Sequence, residues 1–173
     1  MTTHATVALV ALLVLACWFD VRERRIPNAL TLAGATAALL LRSGWGWGSV
    51  LEGAAGAGLA VAVALVPFGL RFLGGGDVKL LGAVGAFMGT DQLLGALLLV
   101  AVVGGVLALF EAIRRRALGH ALANTFGFAK RVMLFGRAGV APTLESPLVM
   151  SVPYGVAIAV GSLLWWFFGG VSV

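Results

Sequence analysis

The sequence predicts an all-α fold, a polytopic membrane helix bundle of about six transmembrane helices with its amino terminus outside. Three observations predict it. The 173-residue chain is 61% hydrophobic and only 11% charged, with a mean hydropathy of +1.05, too apolar for a soluble domain. Its apolar runs recur near span length, separated by short polar connections, and lack the period-two alternation of a membrane barrel. Every Lys and Arg except Arg42 falls on one side of the resulting six-span topology. Runs of this length leave no room for a second folded domain, so residues 1–173 read as one membrane-embedded domain.

The first span is expected near Ala5 to Phe19. It is not read as a cleaved secretory signal, because "MTTH" before it has no Lys or Arg and the positive charges follow in "DVRERR". The second, near Asn28 to Leu41, follows Pro27, whose missing N–H costs little at a helix start. The third runs near Val50 to Leu70, where Gly53, Ala57 and Val61 recur at a spacing that permits close helix contact. The fourth, near Val78 to Gly89, is short like the second; each must borrow flanking residues, tilt, or sit shielded inside the bundle. The fifth is expected near Gln92 to Ile113 and the sixth near Leu148 to Phe168, with Pro153 kinking its start beside Tyr154. Between them lies the only sizeable polar stretch, a cytoplasmic or interfacial loop near 114–147. Its "NTFGFAKRVMLFGR" mixes aromatic and basic residues in a pattern suited to a bilayer surface.

Charge also bounds the partners. The net charge of +5 comes from residues between apolar runs and not from one soluble face, which argues against nucleic acid and for a lipid bilayer. With the positive side cytoplasmic, both termini face outward, and Trp45, Trp47, Trp165 and Trp166 fall where an outer aromatic belt would lie. Cys17 is the single cysteine and sits within a span, and His4 and His120 are far apart, so no metal site and no cofactor is expected.

The chain has seven carboxylates, and two of them stand at span ends on the inner face: Asp20 closes the first helix and Asp77 follows "GGG" at the start of the fourth. A bundle that joins those ends makes a dyad. Two adjacent carboxylates do not both ionise easily; one keeps a proton while the other acts as base. That division of roles is what aspartic proteolysis requires. Plainer explanations exist for each residue. Asp20 can pair with Arg22, Arg24 and Arg25 at the interface, Asp77 can cap a helix, and Lys79 can snorkel to the surface.

Sequence detail adds to the spacing. "FDVRERRIPNALT", followed by "GGGDVKLLGAVGAFMG", resembles the type IV prepilin peptidase family, whose members carry an aspartate before a basic stretch and Ile-Pro-Asn, then a Gly-x-Gly-Asp-x-Lys motif. Asp20, Arg25, Ile26, Pro27 and Asn28 match the first motif, and Gly74, Gly76, Asp77 and Lys79 the second. "VPYGVAIAVG" resembles the family's final helix.

The resemblance implies an intramembrane aspartic endopeptidase of the bacterial inner membrane. It would remove the basic leader of prepilin or pseudopilin precursors at the cytoplasmic face. Asp20 and Asp77 carry over as the catalytic pair, with Gly74, Gly75, Gly76, Lys79, Arg25, Pro27, Asn28, Pro153 and Tyr154 as supporting or substrate-lining residues. Larger members have a cysteine-containing cytoplasmic insertion associated with methylating the new pilin amino terminus; here the connection after the first span is very short, so peptidase without methyltransferase activity is expected. The compact form is similar to the peptidases of tight-adherence (Flp) pilus systems and to archaeal preflagellin peptidases. The competing reading from the residues alone is a small proton- or ion-coupled transporter, which also places carboxylates at glycine-broken helix ends.

Overall fold

The structure, a computed structural model, describes residues 3–70, 72–114 and 154–169. All regular elements among them are helical: α1 (Thr3–Glu23), α2 (Asn28–Ser43), α3 (Trp47–Gly69), α4 (Gly75–Arg114) and α5 (Tyr154–Leu164), which runs into a π-helical turn over Trp165–Gly169. Three of them, α1, α3 and α4, are long and apolar enough to cross a membrane, with mean hydropathies of 2.0, 1.9 and 2.8 in their most apolar windows. One compact unit comprises Met1–Gly104 and Pro153–Val173, and a second comprises Gly105–Val152. In the second, the described residues are the end of α4, where the Arg114 guanidinium donates to both carboxylate oxygens of Glu111 at 2.9 Å.

The first unit has the inside-out pattern of a membrane protein. On α1, Leu9, Leu12, Leu13 and Ala16 form one buried stripe, while Val7, Val14, Trp18 and Val21 on other faces are each more than half exposed. Exposed large apolar side chains recur on α2, α3 and α4 as well, a surface that suits lipid and not water.

The segments expected as the fourth and fifth spans are both helical, joined without an intervening loop. Helix α4 breaks at Gly89, where φ is 73° and ψ is −177°, a conformation that a residue with a Cβ rarely adopts. Contacts on either side show that the chain folds back there. The start of the first arm packs on Ile26, its end packs on Gly56 of α3, and Gly95 and Gly104 of the second arm meet Trp165 and Tyr154 of the last helical segment. That segment runs antiparallel to α1, since Gly155 bonds Asp20 near one end and Trp166 bonds Thr6 at the other.

The short fourth segment is shielded, every residue from Leu80 to Gly89 being buried, and it also borrows residues at its start, since the helix begins at Gly75. Its packing depends on small residues. A Cβ on Gly85 would overlap the Gly56 carbonyl, and one on Gly82 would lie 2.9 Å from Val61 Cγ2. The buried seam of α3 is Gly53, Gly56, Ala60 and Ala64, so Ala57 and Val61 flank it and do not lie at its centre.

Arg42, expected from the charge pattern as the lone basic residue on the outer side, turns into the bundle. Its Nε donates to the Ala86 carbonyl at 2.9 Å and its Nη2 to the Phe87 carbonyl at 3.0 Å, just before the Gly89 break. Nη1 reaches the Ser49 carbonyl at 3.2 Å and Glu52 Oε2 at 3.5 Å. The guanidinium therefore ties the α2–α3 turn to the bend in α4, and its favourable position follows from the partial negative charge at a helix C-terminal end.

Candidate active site

Two chain reversals build the site. At the first, α1 ends with Arg24 in the left-handed region at φ 51°, its N–H donating to the Asp20 carbonyl at 3.0 Å. Arg25 and buried Ile26 lead to Pro27, which caps α2 in an extended conformation and accepts the N–H of Leu30 at 3.1 Å. Asp20 is thus left half-buried in the last turn of α1.

At the second, the helix begins at Gly75, so Asp77 lies inside the first turn of α4 and not before it. Its Oδ2 accepts the Gly74 N–H at 3.0 Å, while the Gly74 carbonyl accepts the Val78 N–H at 3.2 Å. A side chain in the third helical position reaching back to the cap residue is half of a capping box, so the capping role foreseen for Asp77 holds for one of its oxygens. The glycine before it permits a close approach: a Cβ on Gly76 would lie 3.2 Å from the Ile26 Cβ. The two sequence motifs therefore meet directly through Ile26 and Gly76. A second link is made by Lys79, which is exposed and whose Nζ donates to Asn28 Oδ1 at 2.7 Å; it has no ion pair with an aspartate among the described residues.

Asp20 and Asp77 both line one open cavity of about 370 Å³. Arg25, Asn28, Gly74, Gly75, Gly76 and Lys79 also line it, together with Arg24 and Ile26, which sequence reasoning had not assigned. Pro27 is absent from the lining; it stands at the start of α2. Tyr154 is absent too; its ring packs on Gly104. Pro153 and the loop near 114–147, apart from Arg114, lie outside the described residues.

A further residue missed from sequence is Gly155, whose N–H donates to Asp20 Oδ2 at 2.8 Å. The available signal was its place at the start of the last helix, where backbone donors lack acceptors within the helix. Each aspartate thus has Oδ2 held by a backbone amide, and its Oδ1 has no hydrogen bond among the described residues. Two carboxylates on one open cavity, each with an oxygen left over, can accept and deliver protons to a guest. No group of metal-binding side chains is found among the described residues.

Fold and site together define an integral membrane protein of the helical-bundle class, with two aspartates at helix ends on one cavity. A model of the type IV leader peptidase family matches residues 7–109, more than half of the chain and inclusive of both aspartate motifs, and the chain belongs to that family. It is accordingly a leader peptidase of the prepilin-processing type. No curated protein and no solved structure matches it.

Proposed function

We propose that the protein is an aspartic endopeptidase that cuts the basic leader from prepilin-like precursors at the cytoplasmic face of the bacterial inner membrane, with Asp20 and Asp77 as its catalytic pair. The observation that carries this reading is the shared cavity, onto which both carboxylates open. In the proposed reaction the ionised aspartate takes a proton from water as the water oxygen bonds to the scissile carbonyl carbon. The protonated aspartate gives its proton to the carbonyl oxygen, forming a neutral tetrahedral diol. Collapse breaks the C–N bond, and the aspartate that took the proton from water passes it to the departing amine. The second carboxylate recovers its proton from the diol, and the pair returns to its starting state.

The side of the membrane is supported by Arg22, Arg24, Arg25 and Lys79, which stand near the aspartate end of the chain's helices. Arg42 does not weaken the argument, because its charge is spent on carbonyls within the bundle. Absence of methyltransferase activity is supported by the four residues between α1 and α2, Arg24 to Pro27, which leave no space for an inserted domain. The compact architecture favours a tight-adherence (Flp) type of pilus system.

Co-expression with a prepilin from the same genome tests the reading. A mobility shift, amino-terminal sequencing at the leader boundary and an unmethylated product mass are expected. An intact precursor in the presence of folded enzyme, across several local pilins, would count against it.

A further inference from the structure

We infer that Gly155 is a positioning residue for the reaction: the first turn of α5 fixes one oxygen of Asp20 and thereby directs the other toward the cavity. The inference rests on the reading of Asp20 as catalytic and goes beyond it, because residue 155 lies outside both aspartate motifs and outside the matched segment.

Three contacts carry it. The Gly155 N–H donates to Asp20 Oδ2 at 2.8 Å, and as the second residue of α5 it has no acceptor within its own helix. The Gly155 carbonyl accepts the Cys17 thiol at 3.7 Å, so residue 155 is held through both its backbone polar groups by α1 side chains three positions apart. The approach is so close that a Cβ at residue 155 would lie 2.7 Å from Asp20 Oδ2 and 3.0 Å from its Cγ. Only glycine fits without moving the carboxylate. Tyr154 sets the turn in place from the other side, since its ring lies where a Cβ on Gly104 would be, 2.9 Å from Cε2. Asp20 is therefore oriented by a different helix from the one that bears it, and the chemistry at its free oxygen depends on where α5 begins.

Steady-state cleavage of a prepilin precursor by the purified full chain tests this, with folding followed by thermal unfolding in detergent. Gly155→Ala is expected to lower kcat about 100-fold per folded enzyme, with KM within about twofold, the signature of a misplaced reacting group. Gly161→Ala serves as the packing control: its Cβ would press on the Val100 backbone at 2.6 Å, far along α5 from Asp20, so it should lower the melting temperature and spare kcat. If Gly155→Ala does not fold, Tyr154→Leu decides. A fall in kcat of about tenfold with KM unchanged supports the inference, and an unchanged kcat overturns it. Wild-type kcat in folded Gly155→Ala likewise overturns it. Asp20→Asn, run in parallel, separates the two claims: if Asp20→Asn is inactive while Gly155→Ala is fully active, only the positioning role is lost. If Asp20→Asn cleaves like wild type, the catalytic reading and this inference fall together.

Discussion

Replacing Arg42 by methionine keeps most of the apolar length of the side chain and removes the guanidinium that holds the bend in α4. The two shortest charge-assisted hydrogen bonds lost are those to the carbonyls of buried Ala86 and Phe87, and the longer Nη1 contacts to Ser49 go with them. Bonds to charged groups contribute about 1.5–3 kcal/mol each, giving about 3–6 kcal/mol for the pair. Water offsets part of this, since the Arg42 side chain is 18% exposed, and the contact to the 41%-exposed Glu52 contributes under about 1 kcal/mol. The expected loss is about 3 kcal/mol. Arg42→Lys should recover about half of it, because one ammonium cannot span the two carbonyls as the planar fork does. Detergent-mixture unfolding, followed by the fluorescence of the five tryptophans, measures the difference. An Arg42→Met protein within about 0.5 kcal/mol of wild type would refute the claim that this arginine pins the helix bend.

Two other predictions follow from the same geometry. Gly89→Ala should destabilise by more than about 1 kcal/mol, because it forces a Cβ into a positive-φ conformation and toward Arg42 Nη2, 2.8 Å away; unchanged unfolding would show that the bend tolerates a side chain. Lys79→Met and Asn28→Ala should each lower kcat/KM severalfold while costing under about 1 kcal/mol in stability, since their 2.7 Å bond is exposed. The double variant should be no worse than either single one; additive losses in a double-mutant cycle would mean that the two residues act independently.

Much of this architecture was legible in the sequence, and the reasons are local. The apolar runs mark the helices, Gly89 divides two of them, and the glycines before Asp77 announce the close approach that Ile26 makes to Gly76. Other features depend on which helix ends meet, and no run of residues encodes that directly. Arg42 reads as an exception to the charge bias until Ala86 and Phe87 are seen beneath it. Lys79 reads as a snorkelling side chain until Asn28, 51 positions away, supplies its acceptor. Gly155 is one of 25 glycines in the chain, and its value lies in the distance to Asp20.

The most direct test of the central claim is the rate of leader removal by purified Asp20→Asn and Asp77→Asn proteins, each compared with wild type at equal amounts of folded enzyme. Asparagine keeps the shape of the side chain and can still accept the Gly155 or Gly74 N–H, but it cannot exchange a proton with water or the scissile carbonyl. Either substitution alone is expected to abolish cleavage, leaving the precursor at full length. Cleavage at the leader boundary by both variants at near wild-type rates would contradict the claim.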